Sequence, residues 1–127
     1  MTALHDLAAT ELVSLYRKRE LSPVEVTEAV LARIAAWEPH VKATWALDPE
    51  AARTAARASE ARWAKGEPLG PIDGVPSTIK ENIATRGTPV PVGTAASLLV
   101  PAADDAPPAA RMRESAWKLD RPEDSMP

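Results

Sequence analysis

The sequence predicts a mostly helical α/β protein with one or two short strands. Three segments carry helix signals, at residues 10–19, 22–37 and 49–64, and residues 75–79 form a short apolar run. The chain has 13 prolines against 5 glycines, and because proline has no N–H to donate, a long regular sheet is not expected. At 127 residues, the chain has the size of one small domain or of part of a larger one.

The helix expected at 22–37 has the strongest start signal. Ser22 and Glu25 fit a capping box, with Pro23 at the first helical position. We expect Pro39 to end this helix, because proline interrupts helical hydrogen bonding. An apolar stripe recurs at helical spacing and should face a core: Val26, Ala29, Val30, Ile34 and Trp37.

The other two helices have their own boundary signals. Thr10 can cap the helix at 10–19, whereas Asp48 can start the helix at 49–64 and Gly66 can stop it. The predicted inner faces are Leu12, Leu15, Tyr16 and Arg19 in the first helix, and Ala52, Ala55, Ala56, Ser59 and Trp63 in the other.

The remaining segments are short or irregular. Residues 41–47 alternate loosely and predict one short strand, and residues 75–79 predict another. The proline-rich stretch that follows predicts mostly loop, with a helical turn at 94–99. We expect Asp105 to cap a last short helix at 107–114.

Composition excludes several classes of protein. Without cysteine there is no disulfide framework, zinc knuckle or thiol nucleophile. No apolar run is long enough for a membrane span, and no signal peptide is apparent, so we expect a cytoplasmic protein. The net charge is −3 and no basic stripe is present, which argues against nucleic-acid binding. The two histidines, His5 and His40, have no metal-ligand spacing.

The most informative stretch is residues 70–83, which read Gly-Pro-Ile-Asp-Gly-Val-Pro-Ser-Thr-Ile-Lys-Glu-Asn-Ile. This stretch resembles the first catalytic motif of the amidase signature family, in which a Gly-Val-Pro or Gly-Ile-Pro step leads into a strand that a lysine closes. Glu81 stands where the family usually has aspartate, which keeps the charge. The order of the segments at 21–25, 48–51 and 66–71 also agrees with the family. The resemblance covers roughly residues 4–113.

The resemblance implies a fold and a chemistry. The fold is the family's α/β/α architecture, of which residues 1–114 would be an incomplete N-terminal part. The chemistry is hydrolysis or transfer at a carboxamide by a Ser-Ser-Lys triad, with a small-molecule amide as substrate and no metal or organic cofactor. Lys80 matches the catalytic lysine by motif. In the family, one serine attacks the carbonyl and a second serine relays its proton to the lysine, which is a base only when neutral.

The resemblance assigns neither serine to a position in this chain. Ser97, Ser115 and Ser125 follow Lys80, and none stands in a Gly-Ser-Ser context. Residues 115–127 also depart from the family and show no helical or strand period, so we expect a divergent, disordered tail. We therefore expect a truncated amidase that is inactive alone, with an orphaned lysine.

Two alternatives remain. The chain could be a non-catalytic binding module whose apolar helix faces dock on a partner chain. It could also be a small hydrolase that uses Lys80 with Ser77 or Ser97, although no oxyanion-hole segment is visible. Because the helix faces would lack neighbours, we predict marginal stability, a molten state, or association with a partner chain or a second copy.

Overall fold

A computed structural model describes residues 2–117 of the chain. A short 3-10 helix, Leu4–Asp6, precedes four α-helices: α1 (Ala9–Lys18), α2 (Pro23–Val41), α3 (Pro49–Lys65) and α4 (Pro107–Trp117). The backbone divides into two compact units. Unit 1 holds the residues up to Pro76 and those from Ser115, and unit 2 is Ser77–Glu114. The prediction of a mostly helical chain is confirmed.

Helices α2 and α3 begin as the sequence predicts. The Ser22 hydroxyl accepts a hydrogen bond from the Glu25 amide (3.2 Å), and the Glu25 carboxylate accepts one from the Ser22 amide (2.8 Å). The Asp48 carboxylate accepts a hydrogen bond from the Ala51 amide (3.0 Å) at the start of α3. Side chains thus satisfy amides that the first helical turn leaves without partners.

Helix α2 does not end at Pro39, contrary to the sequence prediction. It continues to Val41, and Lys42 follows in the left-handed region with φ 47°. The proline lies in the last turn, where only one helical hydrogen bond is lost. Glu38 secures this end, because its carbonyl accepts from the Lys42 amide (2.9 Å) and its carboxylate accepts from the Thr44 amide (3.0 Å).

The core of unit 1 lies between helices α1, α2 and α3. Its buried cluster consists of Leu12, Val13, Tyr16, Val26 and Trp63, against which Leu7, Leu21, Val30 and Val75 pack. The predicted inner faces are therefore confirmed where they include Leu12, Tyr16, Val26 and Trp63. Trp37, which the sequence places on the same stripe of α2, lies beyond this cluster with 47% of its surface exposed.

The two predicted strands are not strands. The described residues contain only isolated bridges, between Arg86 and Ala102 and between Pro89 and Pro101. In the segment 41–47, the amides nearest α2 bond to Glu38 and extend the helix end. In the segment 75–79, the Val75 amide closes a turn onto the Ile72 carbonyl (3.0 Å). Both segments are apolar enough for a strand, but local bonds use these donors before a ladder can.

Unit 2 is organised around Asp105. This side chain does not cap α4, contrary to the sequence prediction. Its carboxylate accepts hydrogen bonds from the Arg86 amide (2.8 Å) and from the Arg113 guanidinium (2.6 Å). These donors hold the pKa of Asp105 below its usual range. The predicted helical turn at 94–99 is a set of turns without a helix.

Helix α4 enters the segment predicted as a tail. It extends through Trp117, three residues past the proposed boundary at 114, and residues 118–127 of that segment lie outside the described residues. No helix between residues 2 and 117 combines the length and hydropathy needed to span a bilayer.

Candidate active site

The motif at 70–83 begins in a turn that is anchored from several sides. Asp73 is the centre of this turn and is 1% exposed. Its carboxylate accepts two hydrogen bonds from Arg62, Nε to Oδ2 at 2.7 Å and Nη2 to Oδ1 at 2.6 Å. The Leu69 amide donates a third hydrogen bond to Oδ2 (2.9 Å). The carboxylate is thus held by a two-toothed guanidinium and a backbone amide.

These hydrogen bonds determine the ionisation of Asp73. Burial by itself would raise the pKa of this carboxyl group, because desolvation disfavours the charge. The hydrogen bonds from Arg62 and Leu69 outweigh that effect and lower the pKa below its usual value. In the folded protein, Asp73 is therefore an ionised group inside the core, paired with the guanidinium of α3.

Two aromatic side chains hold the backbone of the same turn. The Trp63 indole N–H donates to the Asp73 carbonyl (3.0 Å), and the Tyr16 hydroxyl donates to the Gly74 carbonyl (3.0 Å). The two rings lie 5.9 Å apart at 51° to each other. Burial raises the pKa of Tyr16, so its phenol keeps the proton that it donates. Two successive carbonyls are thus fixed by donors from α1 and α3.

Gly74 is required at its position by both its conformation and its neighbours. Its φ is +84°, in the region that disfavours L side chains. A Cβ atom there would lie 2.5 Å from the Ser59 hydroxyl oxygen and 2.6 Å from Cγ of Pro23. The first glycine of the Gly-Val-Pro step therefore lets the turn approach α2 and α3 closely.

Lys80, the predicted catalytic lysine, is exposed to solvent. It lies in unit 2, in an irregular segment where its carbonyl accepts a hydrogen bond from the Ile83 amide (3.0 Å). The burial that would favour a neutral lysine is not present in the described residues. The structure leaves the assignment of Lys80 as base a prediction.

Neither candidate serine stands in a catalytic arrangement. The Ser97 hydroxyl donates to the Pro91 carbonyl (2.6 Å), which uses its proton within a loop. Ser77 is exposed and precedes Lys80 by three residues. The described part of the chain also has no group of three or more His, Cys, Asp or Glu side chains placed to hold a metal ion.

An open apolar cleft of about 240 Å³ lies in unit 1. Its wall includes Leu7 and Leu12 on one side, Val26 and Val30 of α2, and Val75 of the motif. Lys80 is not among its lining residues. The cleft offers apolar contact but no group for acid–base chemistry at its centre.

Sequence reasoning missed the anchoring residues of the turn. It placed Tyr16 and Trp63 on inner faces without assigning them a partner, and it read Asp73 as one of several polar turn residues. No spacing rule could have paired Arg62 with Asp73, because the contact depends on how the loop after α3 folds back. A buried aspartate between two glycines was visible only as a turn signal.

Comparison with known proteins defines the family. The sequence model described as Amidase matches residues 25–116, which is more than half of the chain. The chain belongs to the Amidase family. The matched span contains α3, most of α2, the anchored turn and Lys80, so most of the residues on which the resemblance was based lie inside it.

Curated relatives are named as components of an amidotransferase. The chain is 45% identical over 94 residues to the first-lettered subunit of Glutamyl-tRNA(Gln) amidotransferase from Chloroflexus aurantiacus, covering 74% of this chain and 19% of the relative. The proteins of the same name from Chloroflexus aggregans and Salinispora arenicola are 46% and 47% identical over the same length and cover the same shares. The chain thus spans about a fifth of the length of these relatives.

A solved structure shares the fold. It is described as an inhibitor-bound form of a vestigial protein complex that reveals the evolutionary origins of an s-triazine catabolic enzyme. The TM-score is 0.79 at 27% identity, and the match covers 87% of this chain and 24% of the other. The helices and the anchored turn therefore follow the Amidase-family arrangement.

Proposed function

We propose that this chain supplies the lysine base of an amidase-type site that hydrolyses a carboxamide or transfers its nitrogen. The observation that carries the proposal is the motif at 70–83, which lies within the family match and contains Lys80. The relatives named as amidotransferase components support the same reaction class.

The proposed chemistry assigns Lys80 one proton. In the neutral form, its amine takes the proton of a relay serine, which in turn takes the proton of the nucleophilic serine. The nucleophile bonds to the carbonyl carbon and the C–N bond breaks, so the nitrogen leaves with the proton returned through the relay. Water or an acceptor molecule then releases the acyl group from the serine.

We propose that both serines come from outside the described residues. Among these residues, Ser97 is engaged with the Pro91 carbonyl, and neither Ser97 nor Ser115 has the Gly-Ser-Ser context of the family. Without an oxyanion site and a nucleophile, a lysine cannot accelerate attack on an amide appreciably. The 127-residue chain is therefore expected to be inactive by itself, and exposed Lys80 would gain its burial only when that further part of the site is present.

A chimera tests this proposal. Residues 25–116 of this chain would replace the corresponding segment of the Chloroflexus aurantiacus relative, and ammonia release from a panel of carboxamides would be measured beside the unmodified relative. We expect the chimera to retain turnover and Lys80→Ala to lower it by at least about 100-fold, in line with the loss of a general base. The control is Lys65→Ala, which removes an exposed lysine at the end of α3 and should leave turnover unchanged.

Three outcomes contradict the proposal. Turnover by the isolated chain would show that it is not inactive alone. Turnover in the chimera that survives Lys80→Ala would show that Lys80 is not the base. A folded chimera without turnover, combined with stoichiometric binding of the isolated chain to another protein, would instead favour the binding module.

The partner and the location of the chain belong to the same proposal. Its relatives are named as parts of a larger amidotransferase, and its structural neighbour belongs to a complex. We propose that this chain also works beside another polypeptide, in the cytoplasm. Co-purification of a tagged chain at natural expression level, with fractionation of the same cells, tests both points.

A further inference from the structure

We propose that Asp73 is a positioning residue that fixes the peptide between Asp73 and Gly74. This peptide sets the conformation from which the chain continues to Lys80, seven residues after Asp73. The inference deepens the proposed function and rests on it for its catalytic consequence. Its structural part concerns unit 1 alone.

The first argument is the convergence of donors on one residue. The carboxylate receives Arg62 from α3 and the Leu69 amide from the following loop, and the carbonyl receives the Trp63 indole. The four hydrogen bonds have lengths between 2.6 and 3.0 Å. Both the side chain and the main chain of Asp73 are therefore fixed, which leaves little freedom to rotate the peptide that follows.

The second argument is the kind of interaction. A buried ion pair adds little net stability, because desolvation of both charges offsets their attraction. Its geometry is nevertheless restrictive, since the planar guanidinium of Arg62 meets the carboxylate in a two-toothed arrangement. An apolar side chain could fill the same space, but it could not set the rotation of the turn. The arrangement is suited to direction rather than to stability.

The third argument is the continuation of the contact into Gly74. Its carbonyl accepts from Tyr16, and its α-carbon lies against Pro23 and Ser59 so closely that no Cβ fits. The turn is thus held from α1, α2 and α3 at two successive residues. Arg62 and Asp73 supply the only ion pair among these contacts in the described structure.

The test compares Asp73→Asn with Glu28→Gln in the 127-residue chain. Both changes turn a carboxylate into an amide, and both carboxylates accept two hydrogen bonds from one arginine. Glu28 lies on the surface with its side chain 48% exposed, so it controls for the loss of an ion pair as such. NMR would record amide exchange and the Trp63 indole resonance, which Trp63→Phe assigns.

We expect Asp73→Asn to raise amide exchange at Leu69 and Val75 at least about tenfold relative to the amides of α1–α3, because local opening precedes global unfolding. We also expect the Trp63 indole N–H resonance to shift, because its acceptor is the Asp73 carbonyl. Glu28→Gln should change neither quantity. If Asp73→Asn does not fold, Arg62→Lys keeps the charge, removes the fork and carries the same expectation.

Two structural results would overturn the inference. A uniform rise in exchange over all three helices would show a contribution to stability only, and an unchanged indole resonance with unchanged exchange would show that the carboxylate fixes nothing. In an active chimera, Asp73→Asn should lower kcat with KM unchanged, and an unchanged kcat would overturn the catalytic consequence. If the unsubstituted chimera is inactive, the proposed function fails, while the exchange experiment still decides whether Asp73 positions the turn.

Discussion

The Tyr16 hydroxyl donates a hydrogen bond to the carbonyl oxygen of Gly74 over 3.0 Å, which joins helix α1 to a turn 58 residues away in the chain. The preceding carbonyl, that of Asp73, accepts from Trp63, whose ring packs near the Tyr16 ring. The core of unit 1 therefore does two things at once. Its aromatic side chains bury apolar surface, and their polar atoms hold the backbone of the amidase motif.

Tyr16→Phe is expected to lower the free energy of unfolding by about 1–2 kcal/mol. The change keeps the ring and removes the hydroxyl, so the Gly74 carbonyl loses its donor at a part-buried position. Urea denaturation followed by circular dichroism measures the effect. Thr54→Ala is the control, because it removes a hydroxyl that accepts an exposed hydrogen bond from Arg57, and it should cost less than about 0.5 kcal/mol. Equal losses in the two variants would contradict the assignment.

Gly74→Ala is expected to be far more damaging than Gly66→Ala. Both glycines have positive φ, +84° and +71° respectively, so both substitutions incur the cost of a left-handed alanine, about 1 kcal/mol. Only at Gly74 does the added methyl group meet other atoms, those of Ser59 and Pro23, which overpacking penalises by about 1–3 kcal/mol more. Thermal melts of the two variants give the comparison. Indistinguishable melting temperatures would show that the turn is not packed as described.

Acid should weaken the protein partly through Asp73. Its pKa is lowered in the folded state, so the unfolded chain takes up the proton more readily as pH falls. The stabilisation is fully present above the unfolded pKa, about 3.9, and is lost as pH falls through the folded value. Denaturation midpoints between about pH 6 and pH 3 should fall less steeply for Asp73→Asn than for the unsubstituted chain. Identical slopes would contradict this expectation.

Salt should separate the buried ion pair from the exposed one. The pKa of Glu28 is also lowered, chiefly by its hydrogen bond from Arg53, but this pair lies at the surface. In about 0.5 M NaCl, where exposed charges are strongly screened, the effect of Glu28→Gln on the pH slope should vanish while that of Asp73→Asn should persist. Equal loss of both effects would show that Asp73 is open to solvent.

The helix starts offer a paired test. Ser22→Ala removes the side-chain acceptor of the α2 capping box and should cost about 1 kcal/mol. Helix α1 begins at Ala8, which has no side-chain cap, although the Glu11 carboxylate accepts from the Ala8 amide (2.7 Å). Ala8→Ser would complete that box and should raise the free energy of unfolding by about 0.5–1 kcal/mol. Denaturant midpoints should shift in opposite directions, and shifts in the same direction would contradict the capping assignments.

The helices could be predicted from the sequence because their signals are local. Ser22, Asp48 and Gly66 act within a few residues of themselves, and the structure places helix ends at or next to each of them. The end of α2 was predicted wrongly because Pro39 looks like a stop in any sequence. Glu38 bonds across it, and a side chain reaching forward to the Thr44 amide leaves no periodic signal.

The candidate site was predictable only in part. Lys80 and the residues from Gly70 onward were identified by the family motif, and the family itself is confirmed. The expected strand around Val75 did not form, because a strand is defined by a neighbour whereas a motif is defined by order along the chain. The exposure of Lys80 was not visible either, since burial depends on which elements cover a residue.

The sequence by itself determined where α2 and α3 begin, which apolar residues face inward near the start of α2, and to which family the chain belongs. These properties follow from hydrogen bonds and periodicities that span a few residues, and from the order of motif residues. Only the tertiary structure decided that Arg62, Trp63 and Tyr16 meet at the Asp73–Gly74 peptide. That meeting depends on the packing of three helices and on the return of one loop, and long-range packing geometry is not encoded in any local pattern.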